Sequence, residues 1–271
     1  MEQACMKPRP SFPAKLETTA PKATKQPLSS KTWAAQLQAQ SKAVALPTQA
    51  SGLGLDSATV RENMVRKLMD QGVEDPLVLS ALGAIERHRF IDSALVNQAY
   101  EDTSLPIGFG QTISKPNVVA RMIELLRQGR NLKITGKLGR VLEIGTGCGY
   151  QAALLSMVSK EVYSIERIQG LYLKAKDNLR PMRLPNLHLI LGDGMLGFPD
   201  GAPYAGIIAA AGGDAIPQAW LDQLDMGGRI VAPMAMADGQ QSLVVIDKTP
   251  SGLQRSLLEP VHFVPLKSGV I

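Results

Sequence analysis

Residues 140–156, RVLEIGTGCGYQAALLS, limit what this chain can fold into more sharply than any other stretch. Val141, Leu142 and Ile144 lie in an apolar run of the length a buried parallel strand needs. Gly145, Gly147 and Gly149 then alternate through a turn, and Ala152 and Leu155 follow at helical spacing. A strand that feeds a helix through a glycine-rich turn opens a nucleotide-binding α/β unit. The rhythm recurs downstream. Apolar runs at 140–144, 161–165, 187–191, 205–210, 228–233 and 242–247, with a last one at 261–266, alternate with helical patterns at 150–158, 168–180 and 215–224. Upstream, helices are expected from Ser57 to near Gly72, in EDPLVLSALGAI with Pro76 in its first turn, and over 118–126. LPIGFGQTISKP, between the last two, reads as a glycine-rich turn. This order predicts an α/β fold. The expected core is a Rossmann-like, mostly parallel seven-stranded sheet with helices on both faces, plus N-terminal helices. Ligands would bind outside the carboxyl ends of its strands.

Charge and composition separate the N-terminal stretch from the rest. The chain carries 29 Lys and Arg against 24 Asp and Glu, a net +5. Seven of the basic residues and only Glu2, Glu17 and Asp56 of the acids fall within 1–57, so the remainder is nearly balanced. That stretch is rich in Pro, Ser, Thr, Lys, Gln and Ala and has no sustained apolar periodicity. Such a composition does not offset the entropy of ordering, so 1–56 are expected to form a disordered basic extension and 57–271 the folded domain. A nearly neutral domain in a chain with 4% aromatic residues lacks the basic, aromatic-interleaved surface of a nucleic-acid binder. No run reaches the roughly 18–20 apolar residues of a membrane span, and no secretory h-region opens the chain. Cys5 and Cys148 make no disulfide framework and no metal spacing. The expectation is a cytoplasmic monomer without a metal.

The glycines fall as G-x-G-x-G. A dinucleotide fingerprint needs glycine where Tyr150 stands, and no Gly-Lys-Ser/Thr follows, which excludes a P-loop. Acidic neighbours narrow the choice of cofactor. Glu143 stands just before the loop, where it would repel a phosphate and attract an ammonium or sulfonium. Glu166 ends the second strand, placed for two hydrogen bonds from a ribose diol. Asp193 and Gly194 end the third, where an adenine edge would be read. A cofactor with a ribose, an adenine, a cationic centre and no phosphate is S-adenosylmethionine.

LPIGFGQTISKP, VLEIGTGCGYQAA, VYSIERI, GDG, APYAGIIAAA, LDQLDMGGRIVAPM and HFVPL occur in that order. Through them residues 57–271 resemble the protein-L-isoaspartate (D-aspartate) O-methyltransferase family. The resemblance implies a class I S-adenosylmethionine-dependent methyltransferase fold and a catalytic domain over 57–271. It also implies a protein-repair activity. A methyl group would pass from S-adenosylmethionine to the free carboxylate of L-isoaspartyl and D-aspartyl residues in damaged proteins and peptides. Ser114, in TIS, stands where the family has its active-site serine. By the same resemblance Ile107, Gly108, Phe109 and Gly110 close over the cofactor, and Glu143, Gly145, Gly147, Gly149, Glu166, Asp193 and Gly194 bind it. Two departures stand out: Ala205 replaces the Asp that usually follows APY, and AAAGGDAIP lacks the usual threonine and paired prolines.

The residue types suit such a reaction. An ionised carboxylate is already nucleophilic and a sulfonium carries a good leaving group, so alignment and desolvation suffice. His88, His188 and His262 accordingly show no triad or metal spacing. Ser114, just before Lys115-Pro116, also suits the cap of the helix over 118–126, where a hydroxyl would both cap and orient an anion. Two other readings compete. One is an S-adenosylmethionine enzyme acting on a small molecule or RNA; the other is a non-catalytic cofactor-binding module.

Overall fold

Polar caps and prolines set the first helices. In the computed structural model, which describes residues 58–129 and 136–271, α1 (Ala58–Asp70) buries Met64 and Leu68. The extension expected over 1–56 lies outside the described residues. α2 (Pro76–Ala84) starts at a proline and is capped by Asp75, whose Oδ1 accepts from Leu77 N and Val78 N. Fully buried Arg87 follows. It donates to Ala99 O at 2.8 Å and stands over the Tyr150 ring at 5.1 Å, fastening the segment after α2 to the centre of the domain.

The glycine-rich turn expected at LPIGFGQTISKP is instead a small hairpin. Its strands, β1 (Leu105–Gly108) and β2 (Gln111–Ile113), pair Leu105 with Ile113. Leu105, Ile107 and Ile113 bury against the core, and four- and three-residue strands are too short for a sequence period to announce them. α3 (Pro116–Arg127) then packs its apolar face inward.

The expected βα units follow as β3 (Leu138–Ile144), α4 (Tyr150–Val158), β4 (Ser159–Glu166), α5 (Gln169–Leu179), β5 (Leu187–Leu191), β6 (Tyr204–Ala209), α6 (Gln218–Gln223), β7 (Leu224–Ala235), β8 (Gln241–Thr249) and β9 (Gly252–Val261). The sheet runs β5-β4-β3-β6-β7-β8-β9, seven strands as expected. Pairing is parallel up to β7; β8 lies antiparallel to both of its neighbours. Adjacent residues feed opposite faces: Val141, Ile208 and Val231 enter one core, and Leu142, Ile207 and Ile230 the other. The chain leaves β3 in one direction to build β4 and β5, then returns to place β6 on its other side. Ligands bind at such a reversal, outside the strand carboxyl ends. No described helix is long and apolar enough to cross a membrane.

Two boundaries differ from the sequence reading. The last strand is Gly252–Val261, not 261–266, because this edge strand exposes Leu253 and Leu257 and shows no apolar run. Residues 261–266 lie mostly beyond it, with one bridge from Pro265 to Gly212. The helix expected over 215–224 shortens to Gln218–Gln223, held back by Pro217 at its cap.

Arg229 joins three of these elements. Its Nε and Nη2 donate to the two carboxylate oxygens of Asp247, each at 2.8 Å, and Nη1 donates to Leu125 O near the end of α3. Arg229→Met is therefore expected to lower the unfolding free energy by about 2–3 kcal/mol, with Arg229→Lys recovering only part because it lacks the planar fork. Urea denaturation of the three proteins checks this; equal midpoints would refute it.

Candidate active site

The carboxyl ends of β3, β4 and β6 open on a cavity of about 400 Å³. The glycine loop forms its floor. Gly145 N and Thr146 N both donate to Ile165 O, at 2.9 and 3.1 Å, which clamps the loop to β4. Gly145, Gly147 and Gly149 have φ of +90°, +57° and +92°, a backbone that excludes most side chains. Gly145 and Gly147 line the cavity, whereas Gly149 faces away and packs on Leu179 of α5. Cys148 is buried in the same loop. Burial pushes its thiol up to about 11, which keeps it protonated and inert.

Glu166 lines the cavity at the end of β4 and is 4% exposed. Its Oε2 accepts from Gly147 N at 2.8 Å and its Oε1 from Ile168 N at 2.9 Å. Each oxygen retains a lone pair for a hydroxyl, as a ribose diol requires. Gly194 also lines the cavity, and Trp220 Nε1 fixes it by donating to Gly194 O at 2.8 Å.

Glu143 and Asp193 sit differently from the wall positions suggested by the strand ends. Glu143 is fully buried behind the loop, where its Oε2 accepts from Ser164 Oγ. Ser164 Oγ also shares a hydrogen bond with Thr146 Oγ1 at 2.6 Å. Glu143 Oε1 and Gln151 Nε2 are both buried without a hydrogen-bond partner. Burial raises the Glu143 carboxyl to about 8; the Ser164 hydrogen bond, and the nearby Gln151 amide that falls short of full hydrogen-bond geometry, offset only part of the effect. Asp193 is occupied in turns: Oδ1 accepts from Met195 N at 2.9 Å and Oδ2 from Gly269 N at 2.7 Å.

The hairpin and the region after β9 supply the remaining walls. Ile107, Phe109, Gly110 and Ser114 line the cavity, and Gly108 turns the chain between them with φ +95°. Ser114 does not cap α3. The cap position is Lys115, with no side-chain cap bond, and Asn117 N is met by Asp102 Oδ1 at 2.9 Å. The half-buried Ser114 hydroxyl makes no hydrogen bond to the described residues. Val264, Leu266, Lys267 and Ile271 complete the opposite wall, a contribution sequence reasoning missed beyond HFVPL. They are tied down by Gln169 N to Ile271 O (2.7 Å), Ile271 N to Arg167 O (2.9 Å) and Arg167 Nε to Gly269 O (2.8 Å). No signal in 267–271 announces this docking.

The departures and histidines fall elsewhere. Ala205 lies at the far end of β6 beside Gly139, away from the cavity. Gly212 of the altered loop pairs with the C-terminal segment through Val264 O and Leu266 N. None of the three histidines lines the cavity, and the described residues hold no group of three or more metal-ligating side chains.

A nearly buried carboxylate on the cavity wall and a glycine floor fit S-adenosylmethionine, whereas Glu143, neutral and behind the loop, does not supply the charge expected of it. With the sheet order, that carboxylate and floor define a class I S-adenosylmethionine-dependent methyltransferase. A family model described as "Protein-L-isoaspartate(D-aspartate) O-methyltransferase (PCMT)" matches residues 59–270, and the chain belongs to that family. It is 59% identical over 224 residues to the protein-L-isoaspartate O-methyltransferase of Methylibium petroleiphilum, spanning 82% of each chain. To that of Leptothrix cholodnii it is 57% identical over 227 residues, 83% of this chain and 79% of the relative. One solved protein-L-isoaspartate O-methyltransferase superposes with a TM-score of 0.69 at 29% identity, over 78% of this chain and 67% of that one. A putative one from Plasmodium falciparum, in complex with S-adenosyl-L-homocysteine, shares the fold with a TM-score of 0.65 at 23% identity, over 76% and 98%.

Glu143 makes stability depend on pH. The folded protein keeps its proton where the unfolded chain has lost it. The resulting stabilisation is complete below the ordinary value of 4.5 and is lost as pH rises through about 8. Glu143→Gln, always neutral, is expected to gain on the wild type between about pH 5 and pH 9, by a few kcal/mol as an order of magnitude. Denaturant titrations at both pH values check it, and parallel curves would refute it.

Proposed function

We propose that residues 57–271 form a repair methyltransferase acting on L-isoaspartyl and D-aspartyl residues of damaged proteins and peptides, and that Ser114 orients the carboxylate that is methylated. S-adenosylmethionine, when bound, supplies a methyl group on a sulfonium, so an ionised carboxylate attacks without a base. The protein's work is then placement. Glu166 offers its remaining lone pairs to the ribose hydroxyls, and the glycine floor lets the cofactor approach the backbone. Ile107, Phe109 and Gly110 on one side and 264–271 on the other shut out water. This strengthens the electrostatics inside and removes competing nucleophiles.

The observation that carries the reading is Ser114 itself. Its hydroxyl is on the cavity wall, released from capping and free to donate to a substrate oxygen. Methyl transfer to an isoaspartyl peptide, and not to its normal aspartyl counterpart, is the expected outcome with the purified protein. Equal activity on both peptides, or on neither, would sink the assignment. Ser114→Ala is expected to slow methyl transfer by roughly ten- to a thousand-fold, about 1.4–4 kcal/mol of transition-state stabilisation. Cofactor affinity and melting temperature should stay near the wild type, because other residues bind the cofactor and cap α3. A destabilised but fully active variant would remove Ser114 from the mechanism.

A further inference from the structure

Gly170 lies in the first turn of α5, between Ile168 and Leu171 of the cavity wall, and no part of the chemistry uses it. A Cβ built there would overlap Cζ, Cε1 and Cε2 of Phe109, so the ring stands end-on against the bare backbone of this glycine. Phe109 is presented by three successive residues of positive φ: Gly108 at +95°, Phe109 at +54° and Gly110 at +67°. For a bulky residue that conformation is strained and persists where its surroundings hold it.

The root of the hairpin is pinned. Lys174 Nζ donates to Ile107 O at 2.7 Å, and Ile107 packs on the loop, its Cδ1 3.3 Å from where a Cβ of Gly147 would lie. The tip is held more lightly, with Phe109 61% exposed. From the other side the C-terminal segment lands on the same turn, through the Ile271 bonds to Gln169 and Arg167. Two halves of a roof thus meet over 167–170. One is fastened by backbone hydrogen bonds, the other by a ring seated on a glycine.

We propose that Phe109 and Gly170 form the latch of the cofactor cavity. Gly170 belongs to the site through the side chain it lacks, and lifting 108–110 off that seat admits S-adenosylmethionine and releases its demethylated product, S-adenosylhomocysteine. The proposal rests on the methyltransferase reading above. It assigns the moving half of the roof to the hairpin tip and the fixed half to 264–271.

Gly170→Ala tests it without endangering the fold. The collision is with the far end of a side chain, relieved by swinging the ring away, and alanine suits a helix better than glycine. In stopped-flow displacement, the dissociation rate of S-adenosylhomocysteine is expected to rise roughly tenfold, the scale of one lost aromatic packing contact. In the ligand-free protein, hydrogen exchange should quicken at the amides of 108–111 and stay unchanged at Gly269 and Ile271. Phe109→Ala should release the product as fast, and adding Gly170→Ala to it should change nothing further, because the ring to be displaced is gone. Wild-type release in Gly170→Ala, additive effects in the double variant, or equal quickening at Gly269 and Ile271 overturns the latch. A wild-type protein that fails to bind S-adenosylhomocysteine overturns the cofactor reading and the latch with it.

Discussion

One carboxylate holds the site in register. Glu166 accepts from Gly147 N with one oxygen and from Ile168 N with the other, so it fixes the glycine loop and the entrance to α5 at once. Both bonds are nearly dry, where hydrogen bonds are electrostatically strongest. Everything around the cavity refers to these two points. Gly145 and Gly147 form the floor, and residues 167–170 receive both the hairpin tip and the C-terminal segment.

Beneath this surface pair lies an acid of opposite character. Glu143 is buried deeply enough to stay neutral near pH 7, and its hydroxyl relay through Ser164 to Thr146 stiffens the loop from below. Two glutamates at the ends of adjacent parallel strands are thereby separated into one that faces the cavity and a neutral one that supports it from behind. The same logic explains the idle histidines and the inert Cys148. A reaction between an anion and a sulfonium asks for orientation, and orientation is built from fixed dipoles.

Much of this was legible in the sequence because it is local. The alternation of apolar strands with helical periods foretold β3 to β8 and the helices between them, and the acidic strand ends marked Glu166. What escaped was short, exposed or long-range. β1 and β2 are too brief to show a period, and β9 faces solvent along most of its length. Lys115 takes the cap position that Ser114 was expected to fill, since a distant carboxylate, Asp102, serves the helix instead. Asp193 looked like an adenine reader, yet its Oδ2 meets Gly269, 76 residues away. No window of sequence contains such a contact.

That last bond ties ligand and folding together. The wall formed by 264–271 is tied to residues just after β4 and β5, so each of these contacts closes a long loop, whose entropic cost grows with its length. A cavity finished by so long-range a contact is also one whose occupant rewards that contact. By mass action, any molecule held between the glycine floor and this wall favours the docked segment over its undocked forms. Cofactor supply and the completeness of the fold are in this way a single equilibrium.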